Sequence, residues 1–168
     1  MAQATIGISA AQVVAATGTP DFRLGTVGGY DSPTLGYQEF VYGQANGVIT
    51  GAGYGVVEQT GFDFIMATTT TTAPGASGYG TRFGAAQAAL ADNEHGWFQI
   101  YGKGSIRTLA SAAKGTRLNS TATGGALDDD GTASSEAITG ITILTATGGS
   151  AATNADAVFS YPSVAETL

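Results

Sequence analysis

Side chains that move protons, make bonds or hold metals are few in this sequence. The 168 residues include one histidine and no cysteine, which excludes disulfides, thiol catalysis and a metal site built from several imidazoles of one chain. The histidine, His95, lies in the acidic, glycine-ended segment Asp92–Gly96, a pattern typical of a solvated turn. No G-x-S-x-G nucleophile elbow occurs. We therefore expect no catalytic residue, no metal, no cofactor and no enzymatic activity.

Two segments superficially resemble ligand-binding loops, and neither fits its pattern. Gly96–Gly104 contains a lysine between glycines, but its spacer is one residue too long for a phosphate loop and Gly104 replaces the required Ser or Thr. Asp128–Gly131 offers carboxylates to a hard cation, yet an EF-hand alignment places Ala126 and Ala137 at two ligand positions. An irregular surface ion stays open there as the alternative to a polar turn.

Tyrosines and carboxylates leave carbohydrate binding open as a function of this chain. Any chain with 13 acidic residues offers carboxylate pairs, so such pairs do not by themselves indicate a glycosidase. Exposed tyrosines stack on sugars, although in an all-β protein they more often lie at a core edge or an interface. Carbohydrate binding is therefore the alternative function, with the candidate stacking residues Tyr30, Tyr37, Tyr42, Tyr54 and Tyr79.

The charge is low, acidic overall and unevenly placed. Charged residues make up 11% of the chain and the net charge is −7, which argues against nucleic acid and anionic membranes as partners. Five of the six basic residues lie between positions 82 and 117, where the acids are Asp92 and Glu94. This stretch predicts either a solvated face or a docking face for an acidic partner. The candidate docking residues are Arg82, Arg107 and Arg117.

Short apolar or alternating runs, separated by glycine and other turn residues, predict an all-β domain. Twenty-six glycines and abundant threonine favour strands joined by many turns. The predicted class is a single β-barrel or jelly-roll-like sandwich, with an exposed loop at residues 68–80 and a further short strand within Gly84–Ala91. The main runs of strand length are Phe22–Val27, Gln38–Tyr42, Tyr54–Val57, Phe62–Ala67, Trp97–Tyr101, Ser105–Leu109, Ile138–Ala146 and Ala157–Tyr161.

The first 21 residues differ in composition from the rest of the chain. They predict an extended N-terminal arm, residues 1–21, ahead of a domain at 22–168, because small residues dominate and Thr17–Pro20 breaks the pattern. A first strand of the same domain is an equal alternative, and Ala10–Ala16 also permits a short helix. No basic region precedes the early apolar residues and no apolar run reaches about 18 residues, so we expect a soluble chain without an export signal or membrane anchor. The apolar arm residues are Ile6, Ile8 and Val13.

The run Trp97–Tyr101 predicts a strand that is buried on both sides. Its large side chains do not fall on one face of an ideal strand. Such a strand is either central in the domain or placed between subunits. Its candidate core or interface residues are Trp97, Phe98, Ile100 and Tyr101.

Several short segments also occur in a recognisable order. They are Phe22–Thr26, Tyr37–Ala45, Gly47–Ile49, Asp92–Gly102, Gly124–Leu127, Thr139–Ile141 and Ser160–Pro162. In this order they resemble the capsid decoration, or cement, proteins of tailed phages, which carry an L-G-T segment, a Y-V-x-A strand and a Y-G-W-x-Q-x-x-G strand. The resemblance covers roughly residues 22–162 and departs from the family in Thr68–Gly80.

The resemblance implies a structural virion protein. It would be made in the cytoplasm of a bacterial host, seat as a trimer on the outer surface of the capsid and clamp neighbouring major capsid protein subunits. Its partners would be the major capsid protein and further copies of itself, without nucleic acid or membrane. The Trp97–Tyr101 candidates would then form the core or a trimer seam, the arm residues would grip capsomers and the arginines would dock. A carbohydrate-binding or host-adhesion module on the virion surface is the alternative.

Overall fold

The computed structural model describes residues 8–76, 78–131 and 133–167, excluding the side chains of 166 and 167, and these residues form strands and turns without a helix. The described chain therefore has no helix that is long and apolar enough to cross a membrane. The all-β prediction is confirmed. The strands are β1 (Val13–Val14), β2 (Val27–Ser32), β3 (Gly36–Ala45), β4 (Gly55–Glu58), β5 (Asp63–Met66), β6 (Phe83–Ala86), β7 (His95–Thr108), β8 (Leu118–Ser120), β9 (Leu127–Asp128), β10 (Glu136–Ile143) and β11 (Thr153–Thr167).

Strand pairing closes into two circuits that share β7. In the first circuit, β3 pairs with β7 and β5, and β4 and β6 connect β5 back to β7. In the second, β9, β8, β10 and β11 lead from β7 back to β7. The edge strand β2 pairs with β3, and β1 pairs with the start of β7. The barrel-like class is thus realised as two circuits, which β7 can join because it is 14 residues long.

Each circuit encloses its own apolar core, and β4 and β6 lie between the two. Successive strand residues point to opposite faces. Accordingly, Val57, Phe83 and Ala85 pack into the core of the second circuit, while Val56 and Ala86 pack into that of the first. These short strands are apolar on both faces because both faces are covered.

At Gly102, β7 passes from one circuit to the other. The strand pairs mainly with β3 before this glycine and with β11 after it. Gly102 has φ +90°, and an added Cβ would collide with the Tyr37 carbonyl oxygen, so glycine is required. The side-chain amides of Gln38 and Gln99 donate to the Lys103 carbonyl oxygen at 2.6 and 2.8 Å. These hydrogen bonds stabilise the point at which β7 crosses from the first circuit to the second. The crossing at Gly102 also brings β3, β7 and β11 together.

The described part of the predicted arm lies on the domain. Val13–Val14 form β1 and pair with Gly96 and His95. Ile8 and Ala10 pack against a buried cluster that contains Trp97. Residues 8–21 therefore do not extend away as an arm, because they cover apolar surface that would otherwise face water. The short helix considered for Ala10–Ala16 is wrong, and Ile6 lies outside the described residues.

The loop at residues 68–80 is only partly exposed, contrary to the prediction. Thr72 is fully buried, and its Oγ1 lies 2.9 Å from Ser120 Oγ. Thr71 Oγ1 donates to the Met66 carbonyl oxygen at 2.9 Å. Threonine hydroxyls satisfy each other and the nearby backbone, so the start of this loop packs inward.

Candidate binding groove

Three exposed tyrosines form a row where β3, β7 and β11 meet. The ring centroid of Tyr101 lies 6.3 Å from that of Tyr37 and 5.2 Å from that of Tyr161, and the second pair is stacked. Tyr161 is 58% exposed. Exposed aromatic surface of this kind is commonly used to contact another molecule. We call Tyr37, Tyr101 and Tyr161 the tyrosine row.

Strand register and one irregularity of the backbone place the row. Tyr101 pairs with Glu39 on one side and with Ser160 on the other. The next residue, Tyr161, has φ 49°, which is uncommon for an aromatic residue. The β10–β11 register shifts near Gly140, where an added Cβ would lie 2.7 Å from the Ser160 carbonyl oxygen. Such a bulge re-aims a side chain, here that of Tyr161.

Glu39 ties the row together. The Tyr161 hydroxyl donates to Glu39 Oε2 at 2.9 Å. A side-chain hydrogen bond with Glu39 is the main reason why the pKa values of both Tyr37 and Tyr161 are raised. A phenolate would face the carboxylate at close range, so the proton is held more tightly. The Tyr161 hydroxyl therefore remains a donor to Glu39.

A groove of about 1040 Å³ opens beside Tyr161. This volume is just above the range of about 300–1,000 Å³ that is usual for small-molecule sites. Its lining combines carboxylate, amide and guanidinium groups from four strands or their turns. The charged and amide residues of the lining are Glu39, Asn46, Glu58, Gln59, Asp63 and Arg82.

Most of these polar groups are held in place by one another. Arg82 Nη1 lies 3.0 Å from Glu58 Oε2, and the guanidinium carbon lies 5.8 Å from the centroid of the Phe62 ring. Asn46 Nδ2 donates to Gln59 Oε1 at 2.8 Å. Burial raises the pKa of Glu58, and Arg82 opposes this shift. The groove thus presents fixed donors and acceptors, which suits recognition by hydrogen bonding.

The core candidates divide into three buried residues and one exposed residue. Trp97, Phe98 and Ile100 are at most 4% exposed. Phe98 and Ile100 belong to the core of the first circuit, and Trp97 belongs to the cluster beneath the N-terminal segment. These three side chains leave no surface for a trimer seam. Tyr101, in contrast, is 36% exposed and lies in the tyrosine row.

Two of the candidate docking arginines are already engaged within the chain. Arg82 forms the groove ion pair with Glu58. The Arg107 guanidinium carbon lies 4.8 Å from the centroid of the Tyr54 ring, a cation–π contact. Arg117 is exposed.

Arg82 and Arg107 also pair with well-separated positions of β11. Arg82 bridges to Ser163, and Arg107 pairs with Asn154. These partners are nine residues apart on β11, or about 30 Å of strand at roughly 3.3 Å per residue. Proximity in sequence is misleading here because β7 runs from one circuit into the other.

His95 is buried at the start of β7 and does not lie in a solvated turn. It is 5% exposed, and its ring stacks on Tyr42 with centroids 6.3 Å apart. Within the described part of the chain, His95 Nδ1 and Trp97 Nε1 have no hydrogen-bond partner. The acidic turn before His95 suggested exposure, whereas β1 covers this end of the strand.

The aspartate segment at 128–130 has a structural role. Asp129 Oδ2 accepts the Ala113 amide at 2.9 Å, and burial raises the pKa of Asp128. Among residues 8–76, 78–131 and 133–167, no three His, Cys, Asp or Glu side chains converge to hold a metal ion.

Of the five tyrosines proposed for sugar stacking, Tyr37 belongs to the tyrosine row. Tyr30 and Tyr79 are exposed elsewhere, Tyr42 is buried and Tyr54 contacts Arg107. The sequence reasoning missed Tyr161. Its position before Pro162, at the end of an apolar run, indicated the end of a strand and gave no sign of a binding site.

No protein-family model matches this chain, and no curated protein sequence matches it significantly.

Proposed function

We propose that this protein is a capsid decoration protein, which clamps neighbouring major capsid protein subunits on the outside of a phage head. The observation that carries the proposal is a pair of separate, exposed apolar patches on one continuous scaffold. A clamp needs such separate contact points, because it must engage more than one subunit at once.

The first patch, which we call the hairpin patch, consists of Leu35 and Leu144. Leu35 is 43% and Leu144 38% exposed. Both line a small depression together with Lys103 of β7. Leu35 lies in the turn between β2 and β3. Exposed leucines that share a depression favour contact with another protein.

The second patch, which we call the β1 patch, consists of Val13 and Val48. Both valines are exposed. Val13 pairs with Gly96, and Val48 precedes Ile49, which bridges to Leu90 beside Gly96. Gly96 and Lys103 are seven residues apart, which corresponds to about 23 Å of strand at roughly 3.3 Å per residue. The two patches therefore lie far enough apart to contact different subunits.

Two weak contacts on one rigid body are sufficient for firm attachment. Once one patch is bound, the second engages at an effective concentration that reaches the millimolar range, and avidity exceeds single-site affinity by about 10²–10⁴. Assembly into homotrimers multiplies this effect, and we include it in the proposal. No chemistry is required of such a protein.

The test uses heads assembled from the major capsid protein encoded with this chain. Cryo-electron microscopy of heads mixed with the purified chain should show added density that bridges subunits, and mass photometry of the free chain should show trimers. Absence of the chain from the heads would overturn the decoration function. A monomer in solution that still decorates heads would overturn only the trimer.

Patch variants test the assignment of the contacts. Leu35→Ser with Leu144→Ser, or Val13→Ser with Val48→Ser, should each lower head binding by about 10²-fold or more through loss of avidity. Val27→Ser is the matched control, since Val27 is an exposed valine outside both patches. Full binding by both double variants would show that these patches are not the contacts.

A further inference from the structure

The groove beside Tyr161 has the chemistry of a ligand site that the clamp does not use. It lies apart from the hairpin patch and the β1 patch, and none of their four residues lines it. Its lining offers carboxylate acceptors from Glu39 and Asp63, amides from Asn46 and Gln59, and a guanidinium from Arg82. Such a mixture suits a ligand whose groups both donate and accept hydrogen bonds.

Two of the three carboxylates that line the groove, those of Glu58 and Glu39, already have partners within the chain. Glu58 and Arg82 pair at 3.0 Å, and Glu39 accepts the Tyr161 hydroxyl at 2.9 Å. A strongly basic ligand would compete with these contacts, and an anionic ligand would face the remaining carboxylates. A neutral, hydroxyl-rich ligand can use the free lone pairs of the same groups without breaking the existing pairs.

One wall of the groove is aromatic. Tyr161 lines the groove and is 58% exposed, while its ring stacks on Tyr101 at 5.2 Å. The stack and the bond to Glu39 hold the Tyr161 ring in one orientation, so little conformational entropy is lost when a flat ligand face packs on it. The face of a pyranose that carries its axial C–H groups is apolar, whereas its edges carry hydroxyls. A ring placed against Tyr161 would direct those hydroxyls to the polar lining.

We propose that this groove binds a neutral pyranose-containing glycan, with Tyr161 as the stacking platform and Glu39, Asn46, Gln59 and Arg82 as hydrogen-bonding groups. The volume of about 1040 Å³ accommodates more than a single sugar ring. The proposal does not depend on the decoration function, since the groove can bind a glycan whether or not the chain sits on a capsid.

The experiment is a glycan array with the full chain, followed by calorimetric titration with the best neutral oligosaccharide. Tyr161→Asn removes the platform, and asparagine tolerates the left-handed backbone at this position. It should weaken binding at least about tenfold. Gln59→Ala, which removes one polar group of the lining, should weaken binding by a smaller factor. Tyr30→Asn is the matched control, because Tyr30 is exposed outside the groove and its loss should leave affinity unchanged.

The contrary outcomes are distinct. Failure of every neutral glycan to bind, or equal affinity of wild type and Tyr161→Asn, would overturn the proposal. Affinity that falls steeply between about 0.05 and 0.5 M salt, or tighter binding of a lysine-rich peptide, would overturn it in favour of a basic partner segment. Thermal unfolding of each variant shows whether the fold is intact. Head binding of Tyr161→Asn should equal that of wild type, which separates this site from the clamp.

Discussion

The neighbouring strands β3 and β7 carry two pairs of aromatic side chains, one buried and one exposed. At one end, Tyr42 and Trp97 are register partners with ring centroids 5.0 Å apart, and both are buried. A few residues along, Tyr37 and Tyr101 lie 6.3 Å apart and are exposed. The same residue types on the same strands therefore build a core in one place and a surface in the other.

Tyr42 and Trp97 are buried because residues from elsewhere in the chain pack over them. The Phe22 ring makes T-shaped contacts with Tyr42 and Trp97 at centroid distances of 5.4 and 5.1 Å, and Ile8 and Leu24 pack on the same cluster. The tyrosine row has no such cover, and its three side chains are exposed, with the Tyr161 hydroxyl bonded to Glu39.

The largest expected contrast is in stability. Trp97→Ala should lower the free energy of unfolding by about 3–5 kcal/mol, because it removes a fully buried ring and leaves a cavity. Tyr101→Ala should lower it by less than about 1 kcal/mol, as is usual for exposed positions. Urea denaturation followed by circular dichroism measures both. Similar losses for the two variants would contradict the division into core and surface.

A smaller effect is expected when the cover is removed. Phe22→Ala should lower the free energy of unfolding by about 2 kcal/mol, since Phe22 is only half-buried. It should also shift the fluorescence of Trp97, the one tryptophan of the chain, towards the emission of a solvated indole. Tyr37→Ala is the control and should leave the emission maximum in place. An unchanged maximum in Phe22→Ala would show that Phe22 does not shield Trp97.

The smallest expected effect is a change in the pKa values of tyrosines. These pKa values are raised for different reasons in Tyr42, of the buried pair, and in Tyr37 and Tyr161, of the tyrosine row. Burial is the main reason for the raised pKa of Tyr42, whereas Glu39 is the main reason for those of Tyr37 and Tyr161. Glu39→Gln removes the negative charge that opposes phenolate formation, so it should lower the pKa values of Tyr37 and Tyr161 and leave Tyr42 unchanged. Spectrophotometric titration of the tyrosines, assigned with Tyr→Phe variants, measures this. A fall in the pKa of Tyr42 would contradict separate causes.

Local patterns in the sequence were sufficient for strands and turns. Gln38–Tyr42, Phe62–Ala67 and Trp97–Tyr101 each overlap an observed strand, because alternation and glycine boundaries act over a few residues. The two-sided burial of the Trp97 run was also predicted, and it holds for Trp97, Phe98 and Ile100. Tyr101 departs from it because β7 leaves the first circuit just beyond, at Gly102.

The candidate site was less accessible to sequence reasoning. Glu39, Arg82 and Tyr161 are separated by 43 and 79 residues, and nothing local to any of them indicates that they line one groove. Arg82 was assigned to docking on the basis of a basic stretch, whereas its partner Glu58 lies on another strand. Tyr161 acquires its orientation from a bulge opposite Gly140, which is a property of strand pairing.

The sequence by itself determined an all-β chain with many turns, because short-range alternation and turn residues act locally. Only the tertiary structure decided which aromatic residues are core and which are surface. That outcome depends on which distant segment covers each stretch of β3 and β7, and on the crossing at Gly102 that brings three strands together. Burial depends on segments far apart in the chain, so the local pattern predicted it for Trp97, Phe98 and Ile100 but not its end at Tyr101.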